Sequence, residues 1–386
     1  MQHLDDFVSL FSKQLLKFDK LSDPLKYKHN LNQLFNILVK RKQFALDQEL
    51  WNELYFYSIY MYPYERYLGN SKIPIVFVTK HNEILSFYMK KQIHKLNETI
   101  VRFDTHSDLN NIKNSIALPK LYEKYLVTKD RKYIDKAQEI VWDIGASKSG
   151  VLITTGIKDV VWGLPKWVPE KQTSIDFFIK KNKTQYTLNT ISTNNNDLDF
   201  LYKANNKANN KANNKEYELK HYLKLQTGIW TDKTVEKIIK QIEKNSETSY
   251  ILDVDLDYFI CNGMKFDKSY HEEHYDLQSH DRTEKIVFNQ HIPRNKNEKS
   301  EELMTYHTRL LYEIKKVNKR IKSFLQLLNT IKKQGYTPRI ISVCDSTNIL
   351  FQDCQQCNTV SNGYVPSHLA LYVHTKVVSG LEKLFC

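Results

Sequence analysis

A chain of 386 residues suffices for two domains or one large α/β domain with additions, and 41% hydrophobic residues with 24 Tyr and 18 Phe exclude a disordered or fibrous protein. The net charge of +13 comes from dispersed lysines, with little arginine and much asparagine, which speaks for compositional bias and against nucleic acid as a partner. No apolar run approaches the length of about 18 residues that spans a membrane, the start MQHLDDFVSL is acidic where a secretion signal is basic, and the cysteines are scattered; an intracellular, cytoplasmic protein without a disulfide framework is expected.

Residues 1 to about 68 read as a helical extension. Leu4, Phe7, Val8, Phe11, Leu15 and Phe18 keep helical spacing, Asp23-Pro24 breaks the run, and Leu31, Leu34, Phe35, Ile37 and Leu38 make a second face before the aromatic-rich Trp51–Tyr67. These aromatics read as packing for a cap on the main domain, with Gly69-Asn70 at the boundary. From residue 70 to 386 strands alternate with helices. The pattern predicts strand 73–79, helix 83–95, strand 99–104, helix 118–138 and strand 157–162, then helix 232–244, strand 249–257, a long helix 300–333, strand 338–344 and helix 366–384. Gly335 sits where a helix C-cap glycine belongs. Such alternation predicts an α/β fold with a doubly wound, mainly parallel sheet flanked by helices, whose ligand crevice lies at the C-terminal strand ends. The stretch from about 190 to 216, containing KANNKANNKANNK, lacks the apolar residues for a core and reads as a disordered insertion.

The chemistry gathers at three predicted strand ends. In VRFDTHSDL (Val101–Leu109), residues two apart share a face of an extended chain, so Asp104, His106 and Asp108 converge. ILDVDLDYF (Ile251–Phe259) places Asp253, Asp255 and Asp257 likewise, and the apolar run Ile73–Thr79 exits through Lys80 onto His81. Helix capping accounts for one Asp per strand, not for alternate ones. Hard oxygens with one or two imidazoles suit Mn, Fe, Co or Zn, so His81, Asp104, His106, Asp108, Asp253 and Asp255 are the candidate ligands of two divalent ions. Glu83 reads either as a base beside them or as the start of a helix, and Asp257 as a support for the ligands or a loop anchor, with a third ligand as the alternative. His271 and His274 lack the HExxH order of a zinc helix and read as part of a substrate loop. Cys354 and Cys357 have no second pair for a zinc ribbon, and Trp162 and Trp167 read as packing, with lining of the cleft as the alternative.

The order His, DxHxD, DxD resembles the arginase and deacetylase superfamily of α/β metallohydrolases. HNEIL, VRFDTHSDL, VVWGLPKW and LDVDLDYF are most similar to a little-characterised branch that includes peptide arginases, which turn arginine into ornithine within a peptide. The resemblance spans about residues 70–385 and implies an arginase-like fold and a binuclear manganese-type centre. It implies one ion on His81, Asp104, Asp108 and Asp253, the other on His106, Asp104, Asp253 and Asp255, with Asp104 and Asp253 bridging. It also implies hydrolysis of C–N bonds in a guanidino substrate, small or peptidic. The chain departs from the arginases in having no histidine in 110–130, where they carry a proton-shuttling one. It has no late Glu for the guanidinium either, and Asp345 is the expected replacement. Two other readings stay open: a binding or scaffold protein that keeps the ligands without turnover, and a basic nucleic-acid-associated protein.

Overall fold

The computed structural model describes residues 64–96, 98–106, 108–165, 173–181, 186–190, 217–227, 232–246, 248–260, 298–346, 365 and 367–386. Within them short runs rich in Val, Ile and Phe become strands: β1 Tyr64–Tyr67, β2 Pro74–Val78, β3 Ile100–Phe103, β4 Asp159–Pro165, β5 Thr173–Lys181, β6 Tyr186–Thr190, β7 Tyr217–Thr227, β8 Ser249–Asp255 and β9 Thr337–Cys344. The helices are α1 Ile84–Lys90, α2 Ala117–Thr128, α3 Lys132–Ile140, α4 Ser147–Thr155, α5 Asp232–Glu243, α6 Glu298–Lys333 and α7 Ser367–Phe385.

The strands form one sheet in the order β1-β2-β9-β8-β3-β4-β7-β5-β6. From β2 to β7 every neighbouring pair is parallel. Antiparallel β1 closes one edge, and β5 with β6 extends the other. The chain passes from β2 to β3 without pairing them, and β8 and β9 later fill the gap. Four adjacent parallel strands, β2, β9, β8 and β3, therefore end side by side.

Alternation along each strand divides the core in two. Phe77, Val101, Phe103, Leu252, Val254, Ile341 and Val343 face α5, α6 and α7, where Phe324 meets Phe103 edge-on with ring centres 4.9 Å apart. Val76, Val78, Ile100, Val160, Trp162, Ile251 and Ile340 face α1 to α4. Both faces are covered, which is why these strands read as nearly unbroken apolar runs.

Several boundaries differ from the sequence expectation. Tyr64–Tyr67, expected in the helical extension, is a strand with alternating exposure, pinned to α7 by Arg66 donating to Glu382 at 2.5 Å. Residues 1–63 and the Asn/Lys-rich insertion lie outside the described residues, as do Trp167, Cys354 and Cys357. The single helix expected at 118–138 is two, because Lys129 turns left-handed (φ 58°) and Asp130 accepts the Lys132 amide at 3.0 Å to start α3. Helix α4 was not anticipated: its nine residues are all buried, so no polar face marks the helical period. The long α6, α7, and the positive φ of Gly335 (94°) follow expectation. Among the described residues no helix is long and apolar enough to cross a membrane.

Gly150 lets α4 lie close on the loop before it. A Cβ there would come within 2.6 Å of Val141 Cγ1 and 2.9 Å of Cγ2, on a buried β-branched side chain with little freedom to turn away. Gly150→Ala is expected to cost roughly 1–3 kcal/mol by overpacking, read as a lowered midpoint in chemical denaturation. An unchanged midpoint would show that α4 is not seated on Val141.

Candidate metal centre

The end of β3 carries Arg102 and Asp104 on one face, and beyond it the chain turns sharply. Asp108 adopts a left-handed conformation (φ 52°), which a short polar side chain tolerates. Its carbonyl accepts the Lys148 and Ser149 amides at 3.1 and 3.2 Å, and Ser147 Oγ donates to Asp108 Oδ2 at 2.6 Å. The first turn of α4 is thus docked on this loop, with its unpaired amides satisfied there. Trp162 Nε1 donates to the Asp104 carbonyl at 2.9 Å, so this ring both packs and holds the strand end.

His81 opens the turn after β2 and is fully buried. Its Nδ1 lies 3.0 Å from Asp104 Oδ2, 3.0 Å from Asp108 Oδ2 and 3.1 Å from Asp255 Oδ2, while Nε2 is 3.1 Å from Asp253. His106 lies on the outer side: its amide donates to Asp104 Oδ1 at 2.6 Å and its Nδ1 is 2.7 Å from Asp257 Oδ2. Asp257 also accepts the Thr105 amide at 3.0 Å. The expected ligands His81, Asp104, His106, Asp108, Asp253 and Asp255 do come together at one sheet edge.

Their pairing differs from the expected one. Among the described residues three groups bring ligand atoms within 4.8 Å of one another: His81–Asp104–Asp108, His81–Asp255–Cys344 and Asp104–His106–Asp257. Asp257, expected to support the ligands or anchor a loop in preference to being a third ligand, completes the His106 group. Asp253, expected to bridge, is instead enclosed: Lys148 Nζ donates to Oδ2 and Ser342 Oγ to Oδ1, both at 2.6 Å, with Tyr88 hydroxyl 2.7 Å behind Ser342. Glu83 accepts from the Thr79 and Lys80 amides, both at 3.2 Å, and so ties the start of a helical turn; the reading of Glu83 as a base gives way to its alternative. Asp345, expected to meet a substrate guanidinium, is fully buried and engaged by His374 Nδ1 at 2.6 Å. His271 and His274 lie outside the described residues.

Three cluster residues escaped the sequence reading. Arg102 Nη2 donates to Asp104 and, at 2.6 Å, to Asp108 Oδ2. It stands two before Asp104 in the same strand, and the period of two that placed the acids places it beside them. Ser342 follows the same rule on β9, and Lys148, on an unpatterned helix, had no comparable signal.

Charge explains the cluster's behaviour. Asp104, Asp108, Asp253, Asp255 and Asp257 are all buried, against the basic side chains of Arg102 and Lys148. Unpaired buried charge is costly, so the excess must be met by protons or by metal. Burial, with Asp257 and Asp104 nearby, pushes Asp255 up to about 8. Burial works against charge on His106, but Asp257 outweighs it and lifts the imidazole to about 9. Asp253 lies well below the carboxylate range: burial opposes its charge, and Lys148 and His81 prevail. Burial pushes the Cys344 thiol up, which makes it the weakest donor here. Hard oxygens, imidazoles and an excess of negative charge fit a divalent cation.

Fold and site define an α/β protein with a buried Asp/His cluster able to hold a metal ion at the C-terminal edge of its parallel strands. No protein-family model and no curated protein matches the chain.

Because the folded pKa of His106 exceeds its ordinary 6.5, its stabilising contribution is complete below 6.5 and is lost as pH rises through about 9. His81, raised against burial by Asp253, acts in the same direction; Lys148, lowered by burial, opposes it. Chelator-treated protein is expected to melt at lower temperature as pH climbs from about 6.5 to 9, with a shallower decline in Asp257→Asn. An equally steep decline in the variant would remove the His106–Asp257 pair as its source.

Proposed function

We propose that this protein is a metal-dependent hydrolase of C–N bonds, arginase-like in fold, acting on guanidino groups of arginine in peptides or proteins. The observation that carries the reading is the position of Asp104. One carboxylate oxygen faces His81 and the other faces His106, so a single side chain belongs to two ligand groups at the end of a parallel sheet. That arrangement supports divalent ions on either side of Asp104, Mn2+ first, with Fe, Co and Zn as alternatives. His81 and Asp108 would serve one ion, His106 and Asp257 the other.

Divalent ions held there would supply Lewis acidity and make hydroxide accessible near neutral pH. The protein's own residues do the rest. Ser342, backed by Tyr88, fixes the Asp253 carboxylate, and Lys148 balances its charge. Trp162, itself buried, holds the Asp104 backbone. The side chain of His106 is 19% exposed, which puts the mouth of the cluster on its side. The acidic cluster itself, in spite of the basic chain around it, favours a planar cationic group such as guanidinium over an anionic substrate.

A second reading, a binding protein that keeps the fold and site without turnover, is favoured by one observation: Arg102 and Lys148 already occupy carboxylate oxygens. Elemental analysis of purified wild type and Asp104→Ala, followed by urea release from arginyl peptides, separates the two. Bound Mn lost in the variant, with urea released at least about 100-fold faster by Mn-loaded wild type than by Asp104→Ala, is the expected result. Metal without urea release would leave the binding protein, and folded wild type that takes up no metal would end both.

A further inference from the structure

The two sides of Asp104 are not equivalent. On the His81 side, Arg102 Nη2 bonds Asp104 Oδ2, donates to Asp108 Oδ2 at 2.6 Å and lies 3.4 Å from His81 Nδ1. One guanidinium nitrogen thus touches every member of the ligand group His81–Asp104–Asp108. Arg102 is fully buried, its Nε also donates to Asp104 Oδ2 at 3.0 Å, and Lys148 adds a second buried cation on Asp253. On the other side stand Asp104 Oδ1, His106 and Asp257, with His106 partly open to solvent.

We infer that Arg102 is the resident cation of the His81 side, so that divalent ions fill the two sides unequally. The first binds at Asp104, His106 and Asp257; a second enters only in exchange for the Arg102 guanidinium. This rests on the metal-binding reading above and specifies how the site loads. The physical reason is exclusion and charge. An ion among His81, Asp104 and Asp108 would coincide with Arg102 Nη2, and displacing that group strands a buried guanidinium, which is far more costly than filling a side with donors only. Arg102, with Lys148 on Asp253, also repels an arriving dication, weakly screened because these side chains are buried. Among the described residues no cation stands between the donors of the His106 side, where a partly exposed imidazole and two carboxylates meet.

The test is a calorimetric titration of the full chain with MnCl2 after chelator treatment, paired with Mn content after desalting. Wild type is expected to retain one ion per chain and to bind a second roughly 100-fold more weakly. Arg102→Gln, which keeps a polar group but removes the charge, is expected to retain two. Two equally tight ions on wild type, or a folded Arg102→Gln that still retains one, overturn the inference. Should Arg102→Gln not fold, substitutions on the wild-type background decide: Asp257→Asn is expected to lose the tight ion and Asp108→Asn to keep it, and the reverse pattern overturns the assignment. A folded wild type that binds no Mn2+ at all overturns the metal reading itself, an outcome distinct from equal occupancy.

Discussion

The structure turns on one electrostatic constraint: five carboxylates are drawn to a single buried edge of a parallel sheet, and something positive must be buried with them. The protein supplies part of the answer from its own chain. Arg102 comes from the same strand as Asp104, and Lys148 from a helix whose first turn is docked on the Asp108 loop. Every element around the edge is placed by this demand. Ser342, Ser346 and Ser147 bring hydroxyls to carboxylate oxygens, and Tyr88 sits behind Ser342. What the chain does not balance must come from protons or metal, and burial beside neighbouring carboxylates accordingly favours the protonated forms of His106 and Asp255.

Much of this was legible beforehand, for a definable reason. A period of two in an extended chain is strict, so the joint placement of Asp104 with the DxHxD loop and of Asp253 with Asp255 could be read from spacing alone. The parallel sheet followed from apolar runs alternating with helical patterns, and α5, α6, α7, β8 and β9 lie within about two residues of expectation. The strands β5, β6 and β7 left no comparable mark, since polar residues run through them and leave no apolar run to read.

The contacts among the site residues were less legible. Spacing states which face a side chain occupies, not which neighbour it meets across a strand pair. Asp253 and Asp255 share a face of β8, yet one is taken up by Lys148 and Ser342 and the other by Ser346 and His81. Asp257 falls beyond the strand end, in a tight turn capped by Asp255, and that turn aims it at His106. Asp345 is the converse case. It stands at a strand end like the others, but parity sends it to the opposite face, where α7 supplies His374.

The strand order carries a consequence for how the molecule comes to exist. β2 and β3, close in sequence, are separated in the sheet by β8 and β9, which lie more than 140 residues further along the chain. His81 and Asp104 therefore lack their common floor until the last third of the chain has arrived. Pairings of such long range close slowly, because the entropy of the intervening loop is lost before any contact forms. A chain emerging from the ribosome holds its acids in water for most of its synthesis, and the cluster forms only as the central strands insert. The site therefore closes only when β8 and β9 have inserted between strands that precede them by more than 140 residues.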